Sequence, residues 1–312
     1  MKRRSFVQQS ALGAVALGIQ PMVSAGKPGI ENKNINHPFT FCYNSSTTRG
    51  QKISLEEEID LVGKAGYDGM ELWIPVLNAY KEKGGKMSDL RKRISDHGMV
   101  VEDAIGFAQW IHDDDSVRNK AIEQLKSEMD MLAELGCKRI AAPPAGATDK
   151  EISSYDAVAE RYVNILELGL SKGVVPHLEL WGFSKTLYKL PQLLYVAAQT
   201  GRSETRLLTD VYHLFKGGSH TNALDLIAPE AIEIFHMNDY LSSAEKSTIT
   251  DADRIYPGDG AAPFKSILQS LAKGRDKVVL SLELFNPEYY KMDAGSVIKT
   301  GLQKMKQVVS ML

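Results

Sequence analysis

Cysteine is scarce in this sequence: Cys42 and Cys137 are the only two among 312 residues, too few for a disulfide scaffold. An excess of basic residues is also missing, because the formal net charge is −2, and this argues against a nucleic-acid partner. No apolar run reaches the roughly 18 residues of a membrane span, so a permanent membrane anchor is not expected. What remains, 43% hydrophobic and 24% charged residues, is typical of a globular chain and excludes disorder, collagen and coiled coil.

The first 25 residues have the order of an export signal. A basic start that includes Arg3 and Arg4 precedes an apolar run at 11–19, and a small-residue cleavage pattern follows at 23–25. The paired arginines, with a phenylalanine two positions later, resemble the twin-arginine signal, and an ordinary secretory signal is the alternative. We therefore expect residues 1–25 to be a signal peptide, the twin-arginine export machinery to be a partner, and the mature protein to be soluble and periplasmic.

After a polar leader at 26–38, the chain repeats one pattern of an amphipathic helix, a glycine turn, a short strand and a polar loop. In the helical pattern at 54–66, Ser54 and Glu57 predict an N-terminal capping box, and Gly66 predicts a left-handed C-cap. Eight strands are predicted: Phe39–Asn44, Asp68–Ile74, Met99–Gly106, Lys138–Pro143, Val175–Leu180, Arg206–Asp210, Ala231–His236 and Lys277–Leu284.

Strands that alternate with helices predict parallel pairing with right-handed crossovers. Eight such units in about 270 residues favour a closed (β/α)8 TIM barrel, a single domain over 39–312, rather than an open doubly wound sheet. The first turn also lacks the GxGxxG of dinucleotide-binding folds. Both cysteines fall in or beside strands that are far apart in this order, so we expect two buried thiols rather than a disulfide.

One carboxylate or imidazole lies at the end of each of the last four predicted strands: Glu179, Asp210, His236 and Glu283. In a barrel of this kind, the carboxyl ends of the strands meet at the face that holds the active site. Burying four such groups singly would be costly unless they are paired or bind a metal. Three carboxylates and one imidazole suit one divalent metal ion, with Mn²⁺, Co²⁺, Mg²⁺ and Zn²⁺ all candidates.

Several motifs in order resemble the xylose isomerase-like TIM-barrel family, and in particular its sugar epimerase branch, typified by D-tagatose 3-epimerase. In that branch Glu, Asp, His and Glu hold the metal in the chain order found here. The Asp belongs to an Asp-x-x-His motif, matched by Asp210 and His213, and an Arg-x-x-Pro-Gly-x-Gly stretch is matched at 254–260. The residues at 69–72, Gly-Met-Glu-Leu, resemble the family's second strand. The resemblance covers nearly all of the chain from residue 39 onward.

The resemblance implies a metal-dependent sugar isomerase or epimerase. Such an enzyme removes a proton from the carbon next to a carbonyl group, and the metal stabilises the resulting enediolate. It implies that Glu179 and Glu283 are the two catalytic bases, one on each face of the substrate. It also implies that His213 and Arg254 bind substrate oxygens, and that the main partner is a small carbohydrate.

Other substrate contacts follow less directly from the motifs. Lys185 stands where the epimerases usually place a substrate-holding glutamate, and an additional stretch at 241–253 separates the last two motifs. Trp110 follows the third predicted strand, Trp181 the fifth and Phe285 the eighth, and aromatic rings at barrel mouths often stack on sugars. We take Trp110, Trp181 and Lys185 as candidate substrate-binding residues.

Two other activities stay open. The same proton removal can eject a group two carbons away, so a lyase or hydrolase acting on 3-keto-glycosides is one alternative. A non-catalytic exported sugar-binding protein is the other, although the presence of both Glu179 and Glu283 favours an enzyme. A nuclease with this fold would need additional histidine ligands and a basic surface. The chain has 7 histidines in all and a formal net charge of −2. The sugar, the metal and the oligomeric state stay open, with a homo-oligomer among the options.

Overall fold

Parallel strands and helices alternate through residues 37–312, the part of the chain that this computed structural model describes. The strands are β1 (Phe39–Asn44), β2 (Gly69–Trp73), β3 (Val100–Ile105), β4 (Arg139–Ala142), β5 (Val175–Glu179), β6 (Arg206–Asp210), β7 (Ile234–Met237) and β8 (Val278–Leu282). The helices are α1 (Leu55–Ala65), α2 (Ile74–Glu82), α3 (Met87–Asp96), α4 (Asp115–Leu135), α5 (Tyr155–Lys172), α6 (Leu190–Gln199), α7 (Val211–Gly217), α8 (Phe264–Ala272) and α9 (Ala294–Val309). The predicted signal peptide at 1–25 and most of the leader lie outside the described residues.

The strands pair in the order β3-β2-β1-β8-β7-β6-β5-β4, and β3 and β4, at the two ends of this order, contact each other. The sheet is therefore a nearly closed barrel, which confirms the predicted single-domain (β/α)8 fold. The register places Asn44 beside Glu71 and His236 beside Ser281, so polar side chains from four strands share one level. None of the helices within residues 37–312 is long and apolar enough to cross a membrane.

Local signals in the sequence account for the ends of many elements. The hydroxyl of Ser54 accepts a hydrogen bond from the N–H of Glu57 at 3.1 Å, and Gly66 ends α1 with a φ of 90°. All eight predicted strands are present, with shifts of a few residues at their ends. β7 begins at Ile234 rather than Ala231, because Pro229–Ala231 forms a 3₁₀ turn.

Apolar side chains fill the barrel below the mouth. They include Cys42, Ile105, Ala141, Leu208, Ile234 and Val279, all of them buried. The interior is therefore a packed core rather than a pore. Cys42 and Cys137 are both buried and free, which confirms the expectation of two thiols.

A buried carboxyl on α1 makes the stability of the barrel depend on pH. Glu58 is 7% exposed and accepts a hydrogen bond from Thr48 Oγ1 at 2.7 Å, and Thr48 also contacts the hydroxyl of Tyr43. Burial raises the pKa of Glu58 from 4.5 to about 7. The pKa of Glu58 is higher in the folded protein than in the unfolded chain. Its favourable contribution to the free energy of unfolding is therefore fully present below the unfolded pKa, and it is lost as the pH rises through the folded pKa of about 7.

We expect Glu58→Gln to stabilise the protein by about 1–3 kcal/mol at pH 8, because glutamine keeps an acceptor for Thr48 and carries no charge to bury. At pH 5 the gain should be less than half as large. Urea unfolding at the two pH values measures it, with Glu57→Gln, at an exposed neighbour, as the matched control. A loss of stability that is the same at both pH values would show that packing, rather than ionisation, governs this position.

Candidate active site

Asp210 ends β6, and its two carboxylate oxygens have different partners. Oδ1 accepts a hydrogen bond from the N–H of His213 at 2.8 Å and so caps α7. Oδ2 accepts a hydrogen bond from Asn238 Nδ2 at 2.8 Å. The three-residue spacing of the Asp-x-x-His motif is thus the spacing of a helix N-cap, which fixes Asp210 and His213 relative to each other.

His236 belongs to a hydrogen-bond network that begins on β2 and is wholly buried. Its Nε2 lies 2.9 Å from Glu71 Oε1, and Glu71 Oε2 accepts hydrogen bonds from Asn44 Nδ2 at 2.7 Å and Ser281 Oγ at 2.6 Å. Burial opposes a charge on His236, but Glu283 and Glu71 outweigh it and hold the pKa of His236 well above its usual value. Nε2 is therefore committed to Glu71, and Nδ1 is directed at Glu283, 3.2 Å from its Oε2.

Asp210, His236 and Glu283 form a cluster that could hold a metal ion. Each offers one ligand atom, and these atoms lie within 4.8 Å of one another. Ligand atoms that share an ion at about 2.0–2.2 Å lie at most about 4.4 Å apart, so only a small adjustment is needed. Nδ1 of His236 is buried and has no hydrogen-bond partner among residues 37–312. The donor set fits a divalent ion, which would take the place of the proton on Nδ1.

Arg254 balances the negative charge of the cluster. Its Nη1 lies 2.9 Å from Asp210 Oδ2 and 2.7 Å from Glu283 Oε2, and Nη2 lies 3.2 Å from His213 Nε2. Burial would raise the pKa of Glu283, but His236 and Arg254 outweigh it, and the pKa is lowered. Glu283 is therefore held ionised between two cationic groups.

Glu179, the fourth predicted ligand, lines the same cavity but lies outside the three-residue cluster. Burial raises its pKa to about 8. Its Oε2 is buried and accepts no hydrogen bond from any described residue. The cavity thus holds one carboxyl group that is free to react and one, Glu283, that is restrained by its neighbours.

The cavity has a volume of about 210 Å³ and opens at the carboxyl ends of the strands. The predicted site residues Glu179, Trp181, His213, Arg254 and Glu283 all line it. Burial, together with the charge of Arg254, lowers the pKa of His213 well below its usual value, so the imidazole is neutral.

Two predicted substrate contacts do not reach this cavity. Trp110 is 2% exposed, and its indole N–H donates to the carbonyl of Pro143 at 2.8 Å while the ring packs edge-on against Tyr162. It is a packing residue behind the mouth. Lys185 is exposed, because its backbone N–H is tied to the carbonyl of Thr148 at 2.9 Å in a loop that directs the side chain to solvent.

Two carboxylates of the site were not predicted from the sequence. Glu71 holds His236, and Asp251 lines the cavity and pairs with Arg254. A signal for Glu71 was present, because it stands in a Glu-Leu-aromatic tripeptide like those that begin at Glu179 and Glu283. Asp251 comes from the additional stretch at 241–253, for which the family motifs offer no counterpart.

This chain is similar in sequence and in fold to several known proteins. A model of the xylose isomerase-like TIM barrel family matches residues 59–308. Inosose isomerase of Bacillus velezensis is 28% identical over 275 residues, which cover 86% of this chain and 96% of that protein. A crystal structure of the IOLI protein with a bound zinc atom superposes with a TM-score of 0.80 and 26% identity, covering 87% of this chain and 98% of that one. L-ribulose 3-epimerase shares the fold, with a TM-score of 0.68, 20% identity, and coverage of 87% of this chain and 95% of that one. This chain belongs to the xylose isomerase-like TIM-barrel family.

Proposed function

We propose that this protein is a metal-dependent sugar isomerase or epimerase, which moves a proton on a carbon next to a carbonyl group. The observation that carries the proposal is the cluster of Asp210, His236 and Glu283 in one cavity with the unpartnered carboxyl of Glu179. Similarity to inosose isomerase supports the reaction class, and the zinc atom of the IOLI structure supports a divalent ion.

Asp210, His236 and Glu283 would hold the ion, with Glu179 as the fourth predicted ligand. A divalent ion bound there would polarise the carbonyl group of the substrate and stabilise negative charge on its oxygen. Mn²⁺, Co²⁺, Mg²⁺ and Zn²⁺ all suit a set of three carboxylates and one imidazole.

The remaining chemistry belongs to the side chains of the cavity. Glu179, in its ionised form, takes the proton from the reacting carbon, since its Oε2 has no partner within residues 37–312. Glu283, on the other side of the substrate, exchanges a proton on the opposite face. His213 and Arg254 hold substrate oxygens, and aromatic rings surround the mouth of the cavity.

Deuterium exchange tests the proposal directly. The purified, metal-loaded protein is incubated in D₂O with inososes, ketohexoses and 3-keto-glycosides, and proton spectra are followed by NMR. We expect deuterium at a carbon next to the carbonyl of at least one compound, together with an isomerised or epimerised product. A protein stripped with a chelator should show neither and should recover both when the ion is restored.

The same experiment separates the alternative functions. An elimination product from a 3-keto-glycoside, without an epimer, would replace the isomerase by a lyase that uses the same bases. Tight binding of a sugar without deuterium exchange or product would replace it by a sugar-binding protein.

The proposed location is the periplasm, reached by the twin-arginine route. Changing Arg3 and Arg4 together to lysine keeps the charge, and it should trap the folded precursor in the cytoplasm, since this route reads the arginine pair. Cell fractionation and blotting measure the result. An unchanged periplasmic yield would show that residues 1–25 act as an ordinary secretory signal.

A further inference from the structure

Three strands lead into the same tripeptide of a glutamate, a leucine and an aromatic residue. These are Glu71-Leu72-Trp73 at β2, Glu179-Leu180-Trp181 at β5 and Glu283-Leu284-Phe285 at β8. On β2, side chains two residues apart point to the same face, so Trp73 lies outward from Glu71. Trp181 and Phe285 lie beyond the ends of β5 and β8, and they line the same cavity as Glu179 and Glu283. The barrel therefore carries aromatic rings beside its carboxylates at the carboxyl ends of these strands.

These three rings and two others form a continuous collar, made of Trp73, Phe107, Trp181, Phe183 and Phe285. Ring centroids are 5.8 Å apart for Phe285 and Trp73, and 5.2 Å apart for Trp73 and Phe107. They are 6.2 Å apart for Phe107 and Trp181, and 5.1 Å apart for Trp181 and Phe183. These spacings are those of paired aromatic side chains, so the rings hold one another in position before any ligand binds.

The collar remains in contact with solvent. Four of its rings are half-buried, and the ring of Phe183 is 40% exposed. Arg49 lies over two of the rings, with its guanidinium carbon 5.6 Å from the centroid of Trp73 and 4.9 Å from that of Phe285. The mouth thus combines apolar faces with hydrogen-bond donors, and an apolar surface of this kind around a cavity marks a binding site.

The cavity that the collar lines, together with Glu179 and Glu283, limits what can bind there. At about 210 Å³ the cavity is smaller than the roughly 300 Å³ at which pockets for drug-sized ligands begin. It suits one sugar ring placed against Glu179 and Glu283. A group joined to that ring at the open end of the cavity would lie along the rings at the rim, such as the exposed ring of Phe183.

We propose that the collar is a binding subsite for a second ring, and that the substrate is a keto-glycoside, whose reacting ring carries the carbonyl group, rather than a free monosaccharide. The reacting sugar lies on the carboxylates, and the second ring, a sugar or an aryl group, lies against the aromatic faces. Both kinds of ring present a face of C–H or π character that stacks on tryptophan and phenylalanine. The proposal rests on the proposed function for the identity of the reacting ring, but binding to the collar does not require turnover.

Calorimetric titration of the full-length, metal-loaded protein tests the subsite with three unreactive probes. Methyl β-D-glucoside has one ring, methyl β-cellobioside has two sugar rings, and phenyl β-D-glucoside has an aryl second ring. We expect at least one two-ring probe to bind about fivefold tighter than the one-ring probe, a gain typical of one added stacking contact. The probe that gains identifies the second ring as a sugar or an aryl group. Trp73 and Trp181, two of the 3 tryptophans, should report the same binding by fluorescence.

Variants at the rim show whether the gain comes from the collar. Phe183→Ala should weaken two-ring binding at least threefold more than one-ring binding, and Phe183→Tyr should keep the gain. Tyr195→Ala, at a ring on α6 that is 49% exposed and outside the cavity, is the matched control and should alter neither. Equal affinities for all three probes, or equal weakening of all three by Phe183→Ala, would overturn the subsite. A gain that persists in a protein without deuterium exchange would overturn the proposed function alone.

Discussion

Deuterium exchange is expected to fall at least about 100-fold when either Glu179 or Glu283 is changed to glutamine, the usual cost of losing a general base. Glutamine keeps the size of the side chain and removes the proton acceptor. Glu179 has a buried Oε2 without a partner in the described chain, and Glu283 lies 2.7 Å from Arg254. Exchange in D₂O followed by NMR at saturating substrate measures the effect.

Metal content has to be measured in the same samples, because glutamine is also a poorer ligand. Glu102→Gln is the matched control: Glu102 is 4% exposed and pairs with Arg139 and Lys277 at the amino end of the barrel. It should leave exchange unchanged. In an epimerase both active-site variants should abolish interconversion, whereas in a lyase one of the two should be far more damaging. A metal-loaded variant that exchanges at the rate of the unchanged protein would remove that glutamate from the mechanism.

The fold could be predicted because its signals are local. Gly66 ends a helix in a conformation that only glycine adopts readily, and Ser54 begins the same helix, so the boundaries are encoded within a few residues. The strand ends could be predicted for the same reason. In a parallel barrel these ends meet at one face. The proximity of Asp210, His236 and Glu283, which the structure shows, could therefore be predicted from the sequence.

The orientation of side chains beyond the strand ends could not be predicted in this way. Trp110 follows a strand as Trp181 does, yet a backbone carbonyl from another loop turns its indole away from the mouth. Glu71 was missed as a site residue because its partners lie far along the chain: His236 is 165 positions away and Ser281 is 210 positions away. Contacts at this separation follow from the closure of the barrel, and the Glu-Leu-aromatic tripeptide at Glu71 indicates the end of a strand without naming these partners.

Changing Glu71 to alanine should lower the affinity for the divalent ion about 10–100-fold, the usual cost of losing the carboxylate behind a metal-binding histidine. Oε1 of Glu71 accepts a hydrogen bond from Nε2 of His236, which leaves Nδ1 of the imidazole for the ion. Oε2 of Glu71 is held by hydrogen bonds from Asn44 and Ser281. Competition with a chromophoric chelator measures the affinity, and thermal unfolding of the metal-free protein separates ligand orientation from stability.

Glu71→Gln is the informative companion to the alanine variant, because its amide oxygen can still accept from Nε2. It should recover part of the lost metal affinity, although its NH₂ group meets the donors of Asn44 and Ser281. If both variants bind the ion as the unchanged protein does, His236 is not oriented through Glu71. If both variants lose metal affinity and thermal stability to the same extent, the hydrogen bonds of Glu71 stabilise the barrel rather than orient His236 for the ion. Recovery by glutamine at unchanged stability would assign Glu71 the positioning of His236, because the acceptor that faces Nε2 is present in the glutamine variant and absent from the alanine variant.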